Sequence, residues 1–290
     1  MPAFTPGYSI LEEIYEGTRT RVLRAVRTAD GTPVILKRLK TMPSMYGDVL
    51  RLQHEDRMLR RLSSPCVIGV LGMAEGAEEP ALVLEDFGAL SLAEIHQHSR
   101  MDITRILQVA LQVARALGDI HAAGIVHRDI NPANIVMHVA TGKVKVIDFG
   151  IASTLKAEEA QRGNPNLLEG TLAYISPEQT GRMNRSVDYR TDFYSLGITL
   201  YELLIGWRPF QSDDALALVH QHLARAVPVP HELNADIPSP LSGIVMKLVE
   251  KAAEDRYQTA DGLVADLQRC LQQWKQEGRI DAFDLGSADA

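Results

Sequence analysis

Two short polar motifs around a hairpin pattern constrain this chain more than any other feature. Residues 127–134 read HRDINPAN, and a DFG tripeptide at 148–150 begins fourteen residues after the first motif ends. Apolar runs at 134–137 and 143–147 flank a Thr-Gly pair, which predicts two short strands joined by a tight turn. Chance is a poor explanation for both motifs in this order around one hairpin.

The two motifs resemble the catalytic loop and the metal-binding motif of the protein kinase family. The resemblance implies that Asp129 accepts or orients the proton of a substrate hydroxyl. It implies that Asn134 and Asp148 supply oxygen ligands to Mg²⁺, with Mn²⁺ as an alternative, since hard cations prefer such ligands. His127 and Phe149 would pack beneath the site. Transfer of the ATP γ-phosphoryl group needs in-line geometry and neutralised charge, which suits these residue types.

A lysine and a glutamate upstream match the pair that holds the ATP phosphates in that family. Lys37 ends an apolar VILK run, and Glu55 follows eighteen residues later on a helix predicted at 46–62. Glu55 keeps the helical register of Leu59, whereas the adjacent Asp56 would point elsewhere. Taken alone, each residue is more often solvated surface. Joined to the downstream motifs, they are assigned as a catalytic ion pair.

The resemblance also implies an adenine pocket beside a hinge. Residues 81–87 read ALVLEDF and predict a short buried strand. Leu84 would guard the back of the pocket, and Glu85 to Phe87 would supply the backbone donor and acceptor for adenine. The pocket would be closed from above and below by Val22, Ile35 and Val136. These apolar residues could equally be ordinary core, and only the resemblance assigns them.

Residues 170–178 read GTLAYISPE and are similar to the part of a kinase activation segment that supports a peptide substrate. Thr171 belongs to the Ser/Thr form of this segment, which implies a protein substrate phosphorylated on Ser or Thr. Asp192 would cap the backbone of the catalytic loop. Arg256 would pair with Glu178, a structural contact and not a catalytic one.

A longer run, 168–190, is similar to the N-terminal kinase domains of large bacterial hybrid sensors. Those proteins also carry an AAA-ATPase domain, a GAF domain and a histidine kinase. This finer resemblance implies that the chain is one module of a larger signalling protein, with downstream domains among its partners.

The loop expected to cover the phosphates departs from the family pattern. Of three expected glycines only Gly17 remains, with Tyr15 and Thr20 in the other two positions. Glycine lets backbone N–H groups approach phosphate without a Cβ in the way. We therefore expect weaker or reshaped phosphate capture, with hydroxyl donors from Thr18 and Thr20.

Two further departures affect catalysis and the adenine pocket. Asn131 stands where Ser/Thr kinases usually carry a lysine, and a neutral amide cannot offset the charge that develops in the transition state. We expect slower transfer rather than abolished binding. Ile35 replaces a smaller alanine and is expected to narrow the pocket above adenine.

Regulation is predicted to be unusual. In related kinases an arginine like Arg128 often pairs with a phosphate on the activation loop. Residues 156–169 contain no Ser, Thr or Tyr, which leaves Ser153, Thr154 and Thr171 at the ends of the loop. We hypothesise that loop phosphorylation is not the main switch and that Glu169 or another acid partners Arg128.

The periodicity divides the chain at Gly88. Strand patterns and one helix precede it, and helical patterns follow it, at 106–120, 190–205, 213–223, 241–253 and 259–275. With the resemblance, this predicts an α+β bilobal protein kinase fold with a small strand-rich N-lobe and a larger helical C-lobe. We predict the N-lobe at about 8–87, the C-lobe at about 88–275, and a linker or disordered tail at 276–290.

Charge and composition limit the partners. The formal charge of −7 argues against nucleic-acid binding, although the basic residues of 19–40 are either a solvated strand pair or a surface that meets phosphate. The chain shows neither a signal peptide nor an apolar run long enough to span a bilayer. Cys66 and Cys270 match no metal spacing. These features favour a soluble, cytoplasmic protein with reduced thiols and no membrane partner.

Two alternatives to an active Ser/Thr kinase stay open from the sequence. A pseudokinase or nucleotide-binding scaffold would explain the poor glycine loop and Asn131. A small-molecule kinase of similar fold would not need the 171–178 platform or the pairing of Arg256. Family likeness alone does not decide activity.

Overall fold

The structure of the chain is a computed structural model, which describes residues 5–17, 20–40, 45–74, 80–160, 171–183 and 185–289. The first part is a five-stranded antiparallel sheet in the order β1-β2-β3-β5-β4. Its strands are β1 (Tyr8–Glu16), β2 (Thr20–Arg27), β3 (Pro33–Leu39), β4 (Val70–Met73) and β5 (Ala81–Glu85). One long helix, α1 (Met45–Leu59), lies against β4 and β5.

The sheet and α1 bring a strand lysine and a helix glutamate to the same side. A tight turn with Gly31 at φ +73° joins β2 to β3. The register sets Lys37 between Val22 of β2 and Leu82 of β5. On α1, Glu55 shares its buried face with Leu52 and Leu59, which have helical spacing.

The remainder of the chain is mainly helical. Its helices are α2 (Leu92–His98), α3 (Ile103–Ala122), α4 (Leu155–Ala160), α5 (Arg190–Ile205), α6 (Ala215–Ala224), α7 (Pro230–Leu233), α8 (Ser239–Leu248) and α9 (Ala260–Glu277). Its short strands are β6 (Leu90–Ser91), β7 (Ile125–Val126), β8 (Ile135–Met137), β9 (Val144–Val146) and β10 (Ser153–Thr154). The predicted α+β class, with a strand-rich lobe and a helical lobe, is confirmed.

Helices α3 and α5 form the centre of the helical lobe. Asp102 caps α3 by accepting a hydrogen bond from the Arg105 N–H, and the apolar stripe from Ile106 to Ile120 is buried. Helix α5 is buried along almost its whole length and packs against α3 and α8. Each fully buried aliphatic side chain contributes about 1.5–3 kcal/mol to stability. This rigid base supports the hairpin β8–β9 and the loop that precedes it.

The described residues after α9 contact the helical lobe. Ile280 is buried, and Phe283 and Leu285 pack against the core of the helical lobe. The Asp289 carboxylate accepts hydrogen bonds from the backbone N–H groups of Gln258 and Thr259, at 2.6 Å and 2.7 Å. These contacts are made by single side chains against the start of α9, and such contacts produce no periodic pattern in the sequence.

The segment after Gly150 contains the helix α4 directly after β10, where no helical pattern is visible in the sequence. Six residues are too few to produce a recognisable helical repeat in the sequence, which explains why the helix was missed. No helix within the described ranges is both long and apolar enough to cross a membrane.

Candidate active site

A cleft of about 530 Å³ lies where the sheet meets the helical lobe. Its size suits a small ligand such as a nucleotide, since such pockets usually measure about 300–1,000 Å³. Every site residue predicted from the sequence lines this cleft, with the exception of Gly17. The predicted residues on its wall are Val22, Ile35, Lys37, Glu55, Leu84, Glu85, Phe87, Asp129, Asn131, Asn134, Val136 and Asp148.

Lys37 lies between two carboxylates. Its Nζ is 2.8 Å from Glu55 Oε2 and 2.8 Å from Asp148 Oδ1. Burial alone would lower the pKa of Lys37, but attraction to Asp148 and Glu55 outweighs burial and raises that pKa. The Glu55 side chain is 2% exposed and that of Asp148 is 40% exposed. Burial raises the pKa of Glu55 to about 7, whereas attraction to Lys37 outweighs partial desolvation and holds the pKa of Asp148 below its usual value.

Asp129 is held by three donors from the loop and from the segment that follows the activation loop. Its Oδ1 accepts hydrogen bonds from the Thr171 backbone N–H at 2.9 Å and from Asn131 Nδ2 at 3.1 Å. Its Oδ2 accepts one from Asn134 Nδ2 at 2.8 Å. Because the donors approach both oxygens, the carboxylate has one fixed orientation in the cleft.

Asn131 occupies the position of the expected lysine and is itself fixed. Its Oδ1 accepts a hydrogen bond from the Ala133 N–H at 2.9 Å, which caps the 3₁₀ turn Pro132–Asn134. Its Nδ2 lies 3.3 Å from Thr171 Oγ1 as well as near Asp129. The amide therefore links the loop to Thr171, a contact that sequence reasoning did not identify.

Asp192, on the buried helix α5, caps the loop as predicted. It accepts hydrogen bonds from the backbone N–H groups of His127 and Arg128, at 2.9 Å and 2.8 Å, and from His121 Nε2 at 2.8 Å. Arg128 and Asp148 both have positive φ, of 70° and 65°. A non-glycine residue in this conformation is strained by about 1–3 kcal/mol, and such strain clusters at functional sites.

The predicted packing beneath the site is present. The rings of His127 and Phe149 meet edge to face with centroids 4.7 Å apart. His127 Nε2 is 3.0 Å from the Ile147 carbonyl oxygen, which ties the loop to the end of β9. These contacts bring Asp129 and Asp148 to one wall of the cleft.

A buried ion pair supports the segment beyond Thr171. Arg256 donates from Nη1 and Nη2 to the two carboxylate oxygens of Glu178, at 2.6 Å and 2.9 Å. Thr191 also donates to Glu178, from Oγ1 at 2.7 Å. The pair predicted from the sequence is therefore present, and it joins the 3₁₀ turn Glu178–Thr180 to the turn before α9.

Comparison with known proteins identifies this arrangement. A family model described as a protein kinase domain matches residues 8–267. The chain belongs to the protein kinase family.

Its relatives are bacterial kinases. The domain is 36% identical over 274 residues to the serine/threonine-protein kinase PknB of Mycobacterium tuberculosis, covering 91% of this chain and 41% of that protein. It is 33% identical over 262 residues to a probable serine/threonine-protein kinase of Clostridium acetobutylicum, covering 90% of this chain and 39% of that protein. It is 29% identical over 269 residues to a probable PknB of Lactococcus lactis, covering 91% and 42%. The chain thus spans about two-fifths of the length of these curated relatives.

The segment assigned as the hinge is partly engaged by the protein itself. The Glu85 backbone N–H donates to the Gly69 carbonyl oxygen at 2.9 Å, so it is not free for a ligand. Leu84 is buried near the end of β5 and lines the cleft. Ile35 faces Leu84 across the β3–β5 register.

The loop expected to cover the phosphates is described apart from residues 18 and 19. Gly17 donates its N–H to the Thr20 carbonyl oxygen at 2.9 Å, and a Cβ on Gly17 would come within 2.9 Å of the Tyr15 ring. Thr20 lines the cleft, and Tyr15 does so as well. Thr18, proposed as a hydroxyl donor, lies outside the described residues, and so does Arg19.

Several basic residues of the sheet other than Lys37 are paired with neighbouring acids. Lys40 pairs with Glu16 at 2.6 Å, and Arg21 pairs with the same Glu16 at 3.1 Å. Arg27 pairs with Asp30 at 2.8 Å. Neighbouring acids therefore neutralise these cations, which corresponds to the solvated-strand alternative.

The activation segment supplies an acid to Arg128. Glu158 of α4 lies with Oε1 3.4 Å from Arg128 Nη1, and its side chain is buried. Ser153 Oγ donates to the same Glu158 oxygen. The structure therefore agrees with the part of the hypothesis that assigned another acid. Glu169, the first candidate, lies outside the described residues.

The polar groups of the cleft fit ATP with a divalent cation. Asn134 uses its Nδ2 to bind Asp129, so its Oδ1 could serve as an oxygen ligand, and Asp148 could add a carboxylate. Amide and carboxylate oxygens are the ligands that Mg²⁺ prefers. Lys37 adds a fixed positive charge next to them. An apolar wall and a hinge edge complete the pocket.

Proposed function

We propose that this chain is a serine/threonine protein kinase domain that transfers the γ-phosphate of ATP to protein hydroxyl groups. One observation carries the proposal: the oriented carboxylate of Asp129 shares a cleft with the Lys37–Glu55–Asp148 cluster. A kinase needs both parts, an acceptor for the hydroxyl proton and a charged set that holds the phosphates. The relatives named serine/threonine-protein kinases support the same activity.

Asp129 would act on the incoming hydroxyl group. Its carboxylate takes or orients the hydroxyl proton, and the Thr171 N–H and Asn134 amide keep the carboxylate aimed. Asn131 adds a third hydrogen bond but no charge, so this kinase would have less stabilisation of the transferring phosphoryl group than one with lysine here.

Asn134 and Asp148 would hold Mg²⁺, or Mn²⁺, against the phosphates. The cation supplies charge neutralisation to the β- and γ-phosphates when it is bound. Lys37 would bind the α- and β-phosphates, and Glu55 would keep Lys37 in position. Leu84, the backbone of Glu85 to Phe87, Val22, Ile35 and Val136 would enclose adenine.

Three features favour Ser or Thr over other acceptors. Thr171 lies beside Asp129, the Glu178–Arg256 pair supports a platform for an extended peptide, and the relatives carry that specificity in their names. We also propose, from the 168–190 run, that the domain is one module of a larger signalling protein.

The product of the reaction tests this proposal. The domain is incubated with ATP labelled at the γ-phosphate, Mg²⁺ and a generic basic protein, and the labelled protein is hydrolysed to phosphoamino acids. We expect phosphoserine and phosphothreonine. Phosphotyrosine as the main product would contradict the acceptor class. Absence of label, with ATP still bound, would support the nucleotide-binding scaffold instead.

A further inference from the structure

Two consecutive hinge residues are each held by a cation from a different strand. Asp86 Oδ2 accepts a hydrogen bond from Arg24 Nε of β2 at 2.6 Å, and its Oδ1 accepts one from the Gly88 N–H at 2.8 Å. Glu85 Oε1 forms an ion pair with Lys145 of β9. The sheet therefore holds one hinge acid, and the helical lobe holds the other.

Lys145 contacts both ends of this short segment. Besides Glu85, its ammonium lies 5.4 Å from the centre of the Phe87 ring, within the range of a cation–π contact. It also donates to the Val67 carbonyl oxygen at 3.3 Å. Glu85 Oε1 accepts a further hydrogen bond from the Gly69 N–H at 2.6 Å, which ties the hinge to the residue before β4.

These ion pairs are partly shielded from water. The side chains of Asp86, Lys145 and Arg24 are 8%, 15% and 25% exposed. Charges in such surroundings interact more strongly, and are screened less by salt, than pairs on an open surface. Arg24 also pairs with Glu12 of β1, which fixes the guanidinium from the other side.

We propose that Arg24 and Lys145 are positioning residues that fix the hinge backbone from opposite sides for recognition of the adenine ring. The inference rests on the proposed function, because it assumes that ATP occupies this cleft. A binding edge that is already ordered loses less conformational entropy when a ligand binds. Adenine recognition would then provide affinity that the glycine-poor loop does not provide at the phosphates.

Binding of adenosine reports on recognition of the adenine ring alone, because adenosine has the ring but no phosphate. The test variants are Arg24→Met and Lys145→Met. The matched controls are Arg27→Met, which removes an exposed pair on the same strand, and Lys143→Met, which changes an exposed lysine two residues from Lys145. Dissociation constants for adenosine and for ATP with Mg²⁺ are measured by calorimetry, and KM and kcat by phosphate transfer.

Each test variant should raise the dissociation constants for adenosine and for ATP by the same factor, about tenfold. This factor corresponds to one lost charge-assisted hydrogen bond. KM for ATP should rise by that factor while kcat stays within about twofold. The double variant should lose less than the product of the two single effects, because both cations act on one backbone segment. The control variants should match the wild type.

Unchanged adenosine affinity in folded test variants would overturn the inference. A loss of affinity for ATP but not for adenosine would also overturn it, because the effect would then lie at the phosphates. If a methionine variant does not fold, Asp86→Asn and Glu85→Gln break the same two ion pairs by removing the negative partner while keeping side-chain shape. These two variants should also lose affinity for adenosine and for ATP by the same factor. If the wild type binds neither ligand, the proposed function itself fails and the inference with it. Wild-type binding with unaffected variants overturns the inference alone.

Discussion

Asn131 donates a hydrogen bond from Nδ2 to Asp129 Oδ1 at 3.1 Å, and the same nitrogen lies 3.3 Å from Thr171 Oγ1. The residue that replaces the expected lysine therefore orients the proposed base instead of reaching toward a phosphate. Asparagine in place of lysine at this position therefore removes a positive charge and adds a hydrogen bond that orients Asp129. We expect a slow enzyme with a well-ordered catalytic carboxylate.

Replacing Asn131 by Ala should lower kcat by about tenfold and leave the Kd for ATP unchanged, because it removes a hydrogen bond to a charged group but no contact expected for adenine. Thr171→Ala is the matched control, since it keeps the backbone N–H that binds Asp129. Steady-state kinetics measure both variants. Equal kcat for Asn131→Ala and the wild type would remove Asn131 from the catalytic account.

The buried Arg256–Glu178 pair should contribute more to the free energy of unfolding than an exposed ion pair does. Arg256→Met leaves the Glu178 carboxylate buried without its cation, and we expect a loss of about 3–5 kcal/mol in the free energy of unfolding. Arg185→Met removes an exposed pair with Glu254 and should change stability by less than about 1 kcal/mol. Urea denaturation compares the two variants. Similar losses for both would mean that burial does not control the contribution of these pairs.

The buried His222 should make the helical lobe sensitive to acid. Burial, with a smaller contribution from Lys251, lowers the pKa of His222 to about 4 from its usual 6.5. Between those values the unfolded chain binds a proton that the folded protein excludes, so stability is lost as pH falls through this window. The formal loss at pH 5 is about 2 kcal/mol relative to neutral pH.

His222→Gln should therefore reduce the difference in unfolding free energy between pH 7.5 and pH 5, measured by urea denaturation. The variant also loses the contact between Tyr194 Oη and His222 Nδ1, so its stability at pH 7.5 is the reference for its own acid loss. An identical pH dependence in the wild type and the variant would rule out His222 as the titrating group.

Activity should not depend on activation-loop phosphorylation. Glu158 already supplies a carboxylate to Arg128, and Ser153 is hydrogen-bonded to that carboxylate. Phosphatase-treated domain should keep its rate of phosphate transfer within about twofold, and mass spectrometry should find no stoichiometric phosphate on Ser153 or Thr154. A loss of activity on treatment, with phosphate mapped to either residue, would contradict this prediction.

The sequence predicted those parts of the site that lie on local motifs. Asp129, Asn134 and Asp148 belong to fixed short motifs, and the choice of Glu55 over Asp56 follows from helical register. In the structure Asp56 instead pairs with Arg60 on the outer face of α1, at 2.9 Å. Such features are visible because the residues concerned are separated by constant, short intervals.

Contacts between distant segments were not predictable in the same way. Arg24 and Asp86 are 62 residues apart, and Glu85 and Lys145 are 60 apart, so no local pattern links either pair. The one signal was the basic stretch 19–40, which was left open between a solvated strand pair and a surface that meets phosphate. The docking of Asp289 on α9 was missed because single side-chain contacts leave no periodicity.

The most direct measurement of the central claim is the initial rate of γ-phosphate transfer from ATP by the wild type and by Asp129→Asn, with ATP binding measured in parallel. If Asp129 is the base, the wild type transfers phosphate, and the variant is slower by about 100-fold or more while its Kd for ATP stays within about twofold. Equal rates in the two proteins would exclude Asp129 as the base. A wild type that binds ATP and transfers nothing would contradict the assignment of an active kinase.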